Sequence, residues 1–194
     1  MSPKPEPKRT QPPVVYQLRI ELQQLQPLIW RRILVPSTIK LAKLDRVMQA
    51  AMGWNNSHLH EWLIQEQRYG IPDQDWADEG VRDDRKVTVG AVLTDSVDSF
   101  THSYDFGDGW EHLIIVEQRL EADEGRNDWP MCIAGENACP PDDVGGPDGY
   151  LDFLEAMRNP QHEEHLDYWR WWGGPFEATD FSLNAANAAI RRAR

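Results

Sequence analysis

Three features of the sequence predict an α+β fold: an antiparallel-rich sheet packed against helices in a roll-like single domain, with a helical C-terminal part. The runs of period-two alternation lie between residues 14 and 120, interrupted by one helical stretch, most of the helical periodicity gathers beyond residue 148, and glycine-aspartate turn chemistry joins two of the β-rich runs directly. Strands that precede helices in blocks, rather than alternating with them, argue against a parallel α/β sheet.

The first 13 residues, MSPKPEPKRTQPP, are rich in proline and charge and carry nothing to bury, so a disordered tail is expected over 1–13 and a single domain over 14–194. In VVYQLRIELQQL, Tyr16, Leu18, Ile20 and Leu22 fall on one side and Gln17, Arg19 and Glu21 on the other, the pattern of a half-buried strand. Pro27 ends it, and LIWRRILV reads as a second strand. Beyond Pro36, Leu41, Leu44, Val47, Met48 and Ala51 recur at helical spacing, with Thr38 as the expected cap and Gly53 as the terminator. SHLHEWLIQEQRYG resumes alternation as one strand with His58, His60, Trp62 and Ile64 on a common face, and an acidic loop over 70–86 precedes a short element at VTVGAVL.

Ser99–Phe106 and Trp110–Leu120 form the next pair, joined by Gly107, Asp108 and Gly109, residues that tolerate positive φ; Tyr104 and Phe106 are expected to face the core. Residues 121–147 read as irregular. A helical face at Tyr150, Phe153, Leu154 and Met157 follows, then a short helix over 162–172, then a final helix capped by Asp180 or Ser182.

The 194 residues carry a net charge of −12, unevenly placed. Residues 1–46 hold nine Lys/Arg against three Asp/Glu, while the rest of the body is strongly acidic. Such a body repels phosphate backbones, so a nucleic-acid role would rest on the basic N-terminal part through Arg31, Arg32, Lys40, Lys43 and Arg46. A basic protein partner suits the acidic surface better. Two cysteines and no charged-then-apolar leader predict a cytoplasmic location, and no apolar run has membrane-spanning length.

The triplet Asp105-Phe106-Gly107 is also a kinase magnesium loop, but the glycine-rich phosphate loop and His-Arg-Asp segment that a kinase needs are missing. Asp105, Asp108 and Glu111 lack the spacing of an EF-hand. The candidate ligand or partner site therefore combines Asp105, Asp108, Trp110 and His112 of the hairpin with Asp142 and Asp143 of the loop CPPDDVGGPDGY. Those two aspartates alternatively cap backbone amides before the helix near Asp148. His162 and His165 share a helical face and, with Cys132 and Cys139, make a weaker zinc candidate. Nine tryptophans are many for this length; most belong in a core, and those of WRWW are candidates for an exposed patch.

Five stretches, WRRILVP, MGWNNSHLHEW, YDFGDGWEH, ACPPDDVGGPDGY and NPQHEEHLDYWRWWG, together resemble, in that order, the family of plasmid-pRi ORF-three-like proteins, some of them labelled passenger proteins of insertion elements. The resemblance covers roughly residues 14–190 and implies a compact α+β domain associated with plasmids or mobile elements. It implies little about activity. A resolvase-type name borne by some members does not transfer, because neither Ser37 nor Ser57 has the arginine-rich setting of an activated nucleophile.

The functional expectation is an uncharacterised, non-enzymatic binding or interaction domain with no cofactor. The alternatives are a metal-dependent hydrolase using Asp and His of the hairpin and Pro-Gly loop with a divalent metal, and a DNA-associated accessory protein.

Overall fold

The computed structural model describes residues 14–72, 80–122 and 130–193. The proline-rich tail and parts of the two acidic loops lie outside them. One eight-stranded sheet carries the fold. Its strands are β1 (Val14–Leu22), β2 (Ile29–Pro36), β3 (His60–Ile64), β4 (Gln67–Gly70), β5 (Val81–Asp83), β6 (Ser99–Tyr104), β7 (Trp110–Glu121) and β8 (Met131–Glu136). They run in the order β5-β4-β3-β6-β7-β1-β2-β8, and every pair is antiparallel except β4 with β5. The helices are α1 (Leu41–Met52), the single turn α2 (Val89–Val92), α3 (Gly146–Arg158), α4 (His165–Trp172) and α5 (Leu183–Ala193).

Alternation decides which face is buried. Leu18, Ile20 and Leu22 of β1, Ile33 and Val35 of β2, Trp62 and Ile64 of β3 and Ile114 of β7 join Leu41, Leu44, Val47 and Met48 of α1 in one apolar core. Burying aliphatic or aromatic side chains of this size contributes about 1.5–3 kcal/mol each. The other face of the central strands is polar: Arg19 pairs with Glu21, Arg32 grips Glu117 with both ends of its guanidinium, and both arginines lie over the Trp30 ring. An antiparallel sheet solvated on one side accounts for that division.

Several expectations need correction. The stretch 57–70 is a hairpin, β3 and β4, rather than one strand, because Gln65 turns the chain with φ 56°. β8 lies inside the stretch read as irregular, and β5 inside the acidic loop. Phe106 is 60% exposed, whereas Tyr104 is fully buried. Thr38 does not cap α1; Lys40 occupies that position without a side-chain bond, and the carbonyls of Val87 and Asp84 take the amides of Leu41 and Ala42. Ser182 does cap α5, accepting from the Ala185 amide at 3.3 Å.

Among the described residues, no helix is long and apolar enough to cross a membrane.

Candidate functional site

The β6–β7 turn and the loop that precedes α3 fold against each other. Asp105 opens the turn in the left-handed region (φ 51°), a conformation that aspartate tolerates through local hydrogen bonds. Its Oδ1 accepts from the amides of Gly107 (3.0 Å) and Asp108 (3.3 Å), and its own amide donates to the Leu59 carbonyl. One carboxylate oxygen is thus fixed in the turn, and Oδ2 is left without a hydrogen bond from it. Asp108 reaches across the junction, its Oδ2 accepting from the Gly145 amide at 3.1 Å. A Cβ on Gly146 would collide with the Asp108 carbonyl, so the approach of turn to loop requires glycine there.

The same approach delivers Asp143, also left-handed (φ 62°), and the segment after α1 supplies His58. His58 Nε2 lies 2.9 Å from Asp143 Oδ1 and 3.5 Å from Asp105 Oδ2. One ligand atom from each of the three lies within 4.8 Å of the others, and among the described residues no other His, Cys, Asp or Glu trio is this close. Nε2 is screened from water yet makes no aligned hydrogen bond to either carboxylate. Both aspartates sit in the left-handed region, which aspartate adopts more readily than most residues and which turns their carboxylates toward His58. Beside the trio, Asp142 Oδ2 accepts from the Asn55 amide at 3.1 Å, and its Oδ1 lies 3.5 Å from the Tyr104 hydroxyl. A cleft of about 560 Å³ opens at Asp105, lined by Leu59, His60, Arg68, Phe106 and Glu111.

A second histidine-carboxylate cluster lies inside the fold. β6 and β7 place His102 opposite His112, and β3 brings His60 alongside Asp45 of α1. His102 Nε2 donates to Asp45 Oδ1 at 3.1 Å, Gln49 Nε2 donates to the same oxygen at 3.3 Å, and His60 Nε2 meets Asp84 Oδ2 at 2.8 Å. His112 directs Nδ1 at the His102 carbonyl (3.2 Å) and ring nitrogen (3.4 Å). Those partners assign the Nε2–H tautomer to His102 and the Nδ1–H tautomer to His112.

Burial pushes His112 down to about 3, with the neighbouring His102 acting in the same direction. His102 is also lowered by burial, against the pull of Asp45. For His60, burial acts downward but is outweighed by the hydrogen bond to Asp84 and the charges of Asp45 and Asp84, so the group is raised. For Asp45, burial acts upward and is outweighed by its bonds to His102 and Gln49 and by both imidazoles, leaving it lowered. The arrangement sets His60, whose proton is held more tightly than on a free imidazole, between Asp45 and Asp84, beside two imidazoles that hold theirs less tightly.

Of the residues proposed from the sequence, Asp105 and Asp143 meet through His58, Asp108 and Asp142 brace the same junction, and neither Asp142 nor Asp143 caps α3. Trp110 and His112 point into the core instead, Trp110 lying 5.6 Å from the Trp54 ring. Cys132, Cys139, His162 and His165 do not form a ligand cluster. His165 Nδ1 is held by the Ala156 carbonyl, His162 Nδ1 accepts from the Glu164 amide, and Cys139 is half-buried with its thiol pushed up to about 12 by desolvation. Reading HEEH by helical spacing missed that α4 starts at His165 and leaves His162 before it. The basic residues singled out for DNA are largely engaged: Arg31 is buried, Arg32 holds Glu117, and Lys40 and Lys43 donate to the carbonyls of Lys86 and Ala193.

The pattern that defines the family described as "Plasmid pRiA4b ORF-3-like protein" matches residues 14–185, nearly all of the described fold. This chain belongs to that family. A relative, "Uncharacterized protein y4hQ" of Sinorhizobium fredii, is 43% identical over 176 residues, covering 89% of this chain and 86% of the relative. The fold also recurs in the crystal structure of MM3350 from Methanosarcina mazei Go1, described as a protein of unknown function. The TM-score is 0.80 at 30% identity, and the match covers 89% of this chain and 97% of that one. Neither description names an activity, so the ORF-3-like family supplies a fold, and function has to be argued from the site.

Proposed function

We propose that this ORF-3-like chain is a binding domain whose site is the junction of the β6–β7 turn and the proline-glycine loop, and that it takes a divalent cation there on His58, Asp105 and Asp143. The observation that carries this reading is the convergence of one imidazole nitrogen and two carboxylate oxygens within 4.8 Å. Borderline-soft Zn²⁺, or Mn²⁺, suits one nitrogen and two oxygens better than Ca²⁺, which takes six to eight oxygens. Asp108 and Asp142 add negative charge around the junction and favour a cation, whether a metal or the basic side chain of a protein partner. Calorimetric titration of chelator-treated protein with ZnCl₂ and MnCl₂ tests this: stoichiometric binding that Asp143→Asn weakens at least about tenfold supports it. Absence of binding, or binding indifferent to Asp143→Asn, removes it.

A second reading, metal-dependent hydrolysis, has its own support in the cleft of about 560 Å³ beside Asp105. His58, Asp105 and Asp143 would hold the metal, and a Zn²⁺ bound there would supply an activated water as nucleophile. Metal-dependent turnover of phosphate or carboxylate esters, lost in Asp105→Asn, would favour this reading; binding without turnover favours the first.

A further inference from the structure

A second cleft, of about 760 Å³ and on the α1–α5 side of the sheet, is independent of the cation site. Its volume lies within the range of small-molecule sites. Arg31 of β2 forms part of its lining although the residue is only 3% exposed. The Arg31 guanidinium lies 4.4 Å over the Phe181 ring; Nε donates to the Ala51 carbonyl (3.0 Å), and Nη1 donates to the carbonyls of Trp30 (2.8 Å) and Glu136 (3.0 Å). Nη2 has no acceptor among the described residues. Across the β2–β8 ladder its partner is Gly135, where a Cβ would stand 2.7 Å from Phe181 and 2.8 Å from the Arg31 side chain. The arginine and ring pack together because that position has no side chain.

A buried guanidinium normally has a carboxylate counter-charge, because an unpaired charge away from water is costly. No carboxylate lies within ion-pair distance of Arg31 among the described residues. The acidic groups that sense its charge are the thiols of Cys139 and Cys132, both raised by burial and therefore neutral. Gln49 also lines the cleft, and its buried Oε1 has no donor while Nε2 is engaged by Asp45. Aromatic rings of Trp54, Trp172 and Phe176 complete the walls. Arg46 and Arg192 against Glu177 and Asp180 leave the rim balanced, so Arg31 gives the lining a net positive charge in a protein of net −12.

We propose that this cleft binds a small aromatic monocarboxylate bearing an N–H donor, its carboxylate on Arg31 Nη2, its donor on Gln49 Oε1, and its ring among Trp54, Phe176 and Phe181. A single free guanidinium nitrogen compensates one negative charge. A phosphate dianion would leave excess charge beside Glu177 and Asp180, which disfavours it. The aromatic walls match a flat ring rather than an aliphatic chain.

Anthranilate serves as the probe, because it carries a carboxylate, an N–H donor and one ring. In ¹H–¹⁵N spectra of the full chain, saturable shifts are expected at the Arg31 Nε–H and Trp54 indole signals, with aniline inert and benzoate at least about fivefold weaker. Arg31→Met should abolish the shifts. Because Arg31 also braces three carbonyls, Ala185→Phe on the exposed side of α5 is the companion variant, expected to fill the cleft and block anthranilate with folding intact. Shifts unchanged in Ala185→Phe, equal response to aniline and anthranilate, or no saturation up to about 10 mM anthranilate would each overturn the proposal. Zinc binding is measured separately, so failure here leaves the cation site standing, and the reverse holds as well.

Discussion

The two histidine-carboxylate clusters use the same residue types for opposite ends. In the inner one, Asp45, Asp84, His60, His102 and His112 use their nitrogens and oxygens mainly on one another, behind α1 and with almost no solvent contact. In the outer one, Asp105 commits one oxygen to its turn, Asp143 is two-thirds exposed, and His58 Nε2 has carboxylates near it but no aligned bond. Asp84 Oδ1 has no partner and neither does Oε1 of the adjoining Gln49, but the remaining inner atoms bond one another and hold the structure, whereas the exposed outer group leaves its ligand atoms turned toward one another without an aligned bond. What separates the two is which lone pairs the fold has already engaged, not composition.

The largest expected effect breaks the inner cluster. Asp45→Ala takes one of the two carboxylates from His60 and removes the acceptor of buried His102 Nε2, so a loss of about 3–5 kcal/mol is expected in urea denaturation. Asp143→Ala in the outer cluster should stay within about 0.5 kcal/mol of the parent. Equal losses would erase the distinction.

The pH dependence of stability sharpens it next. His112 is held at about 3 in the folded chain, against 6.5 for a free imidazole. Between those values the unfolded chain takes up a proton that the folded chain refuses, so this group makes stability fall as pH falls from about 6.5 to 3. The slope is at most about 1.4 kcal/mol per pH unit. His60, raised, acts in the other sense: its contribution is complete below pH 6.5 and is lost as pH rises through its folded value. Denaturation of His112→Leu across that range should show a flatter acid limb than the parent, and an unchanged limb would contradict the assignment.

Third, Gly146→Ala forces a side chain against the Asp108 carbonyl at φ 72°, whereas Gly109→Ala meets only open space at φ 70°. Both are strained at about 1 kcal/mol, and the first should lose about 1–2 kcal/mol more. Only the first should also weaken cation binding, because it parts the turn from the loop.

Much of this was legible in the sequence. Period two places β1, β2 and the β6–β7 hairpin, but a turn centred on Asp108 would set His102 opposite Ile114; the observed partner is His112, because the pairing is centred on Gly107. β8 was hidden because its six residues sit among prolines, glycines and acids and pair with β2, distant along the chain. Asp105 and Asp143 were found as charged residues in glycine-rich turns. By alternation His58 shares a strand face with His60, and two imidazoles are too few to hold a metal; nothing local to that stretch signals the loop that returns with Asp143. His112 lies away from Asp105 for a plain reason: alternation from Trp110 puts it on the same inward face, so closeness in sequence to Asp105 does not bring the side chains together.

The most direct test follows each histidine ring by side-chain ¹⁵N NMR while ZnCl₂ is added to the metal-free full chain. His58 should shift and saturate at one equivalent, while His60, His102 and His112 keep their resonances. Movement of the inner three with His58 unmoved, or no change at any ring, would contradict the division between a structural cluster and a binding one.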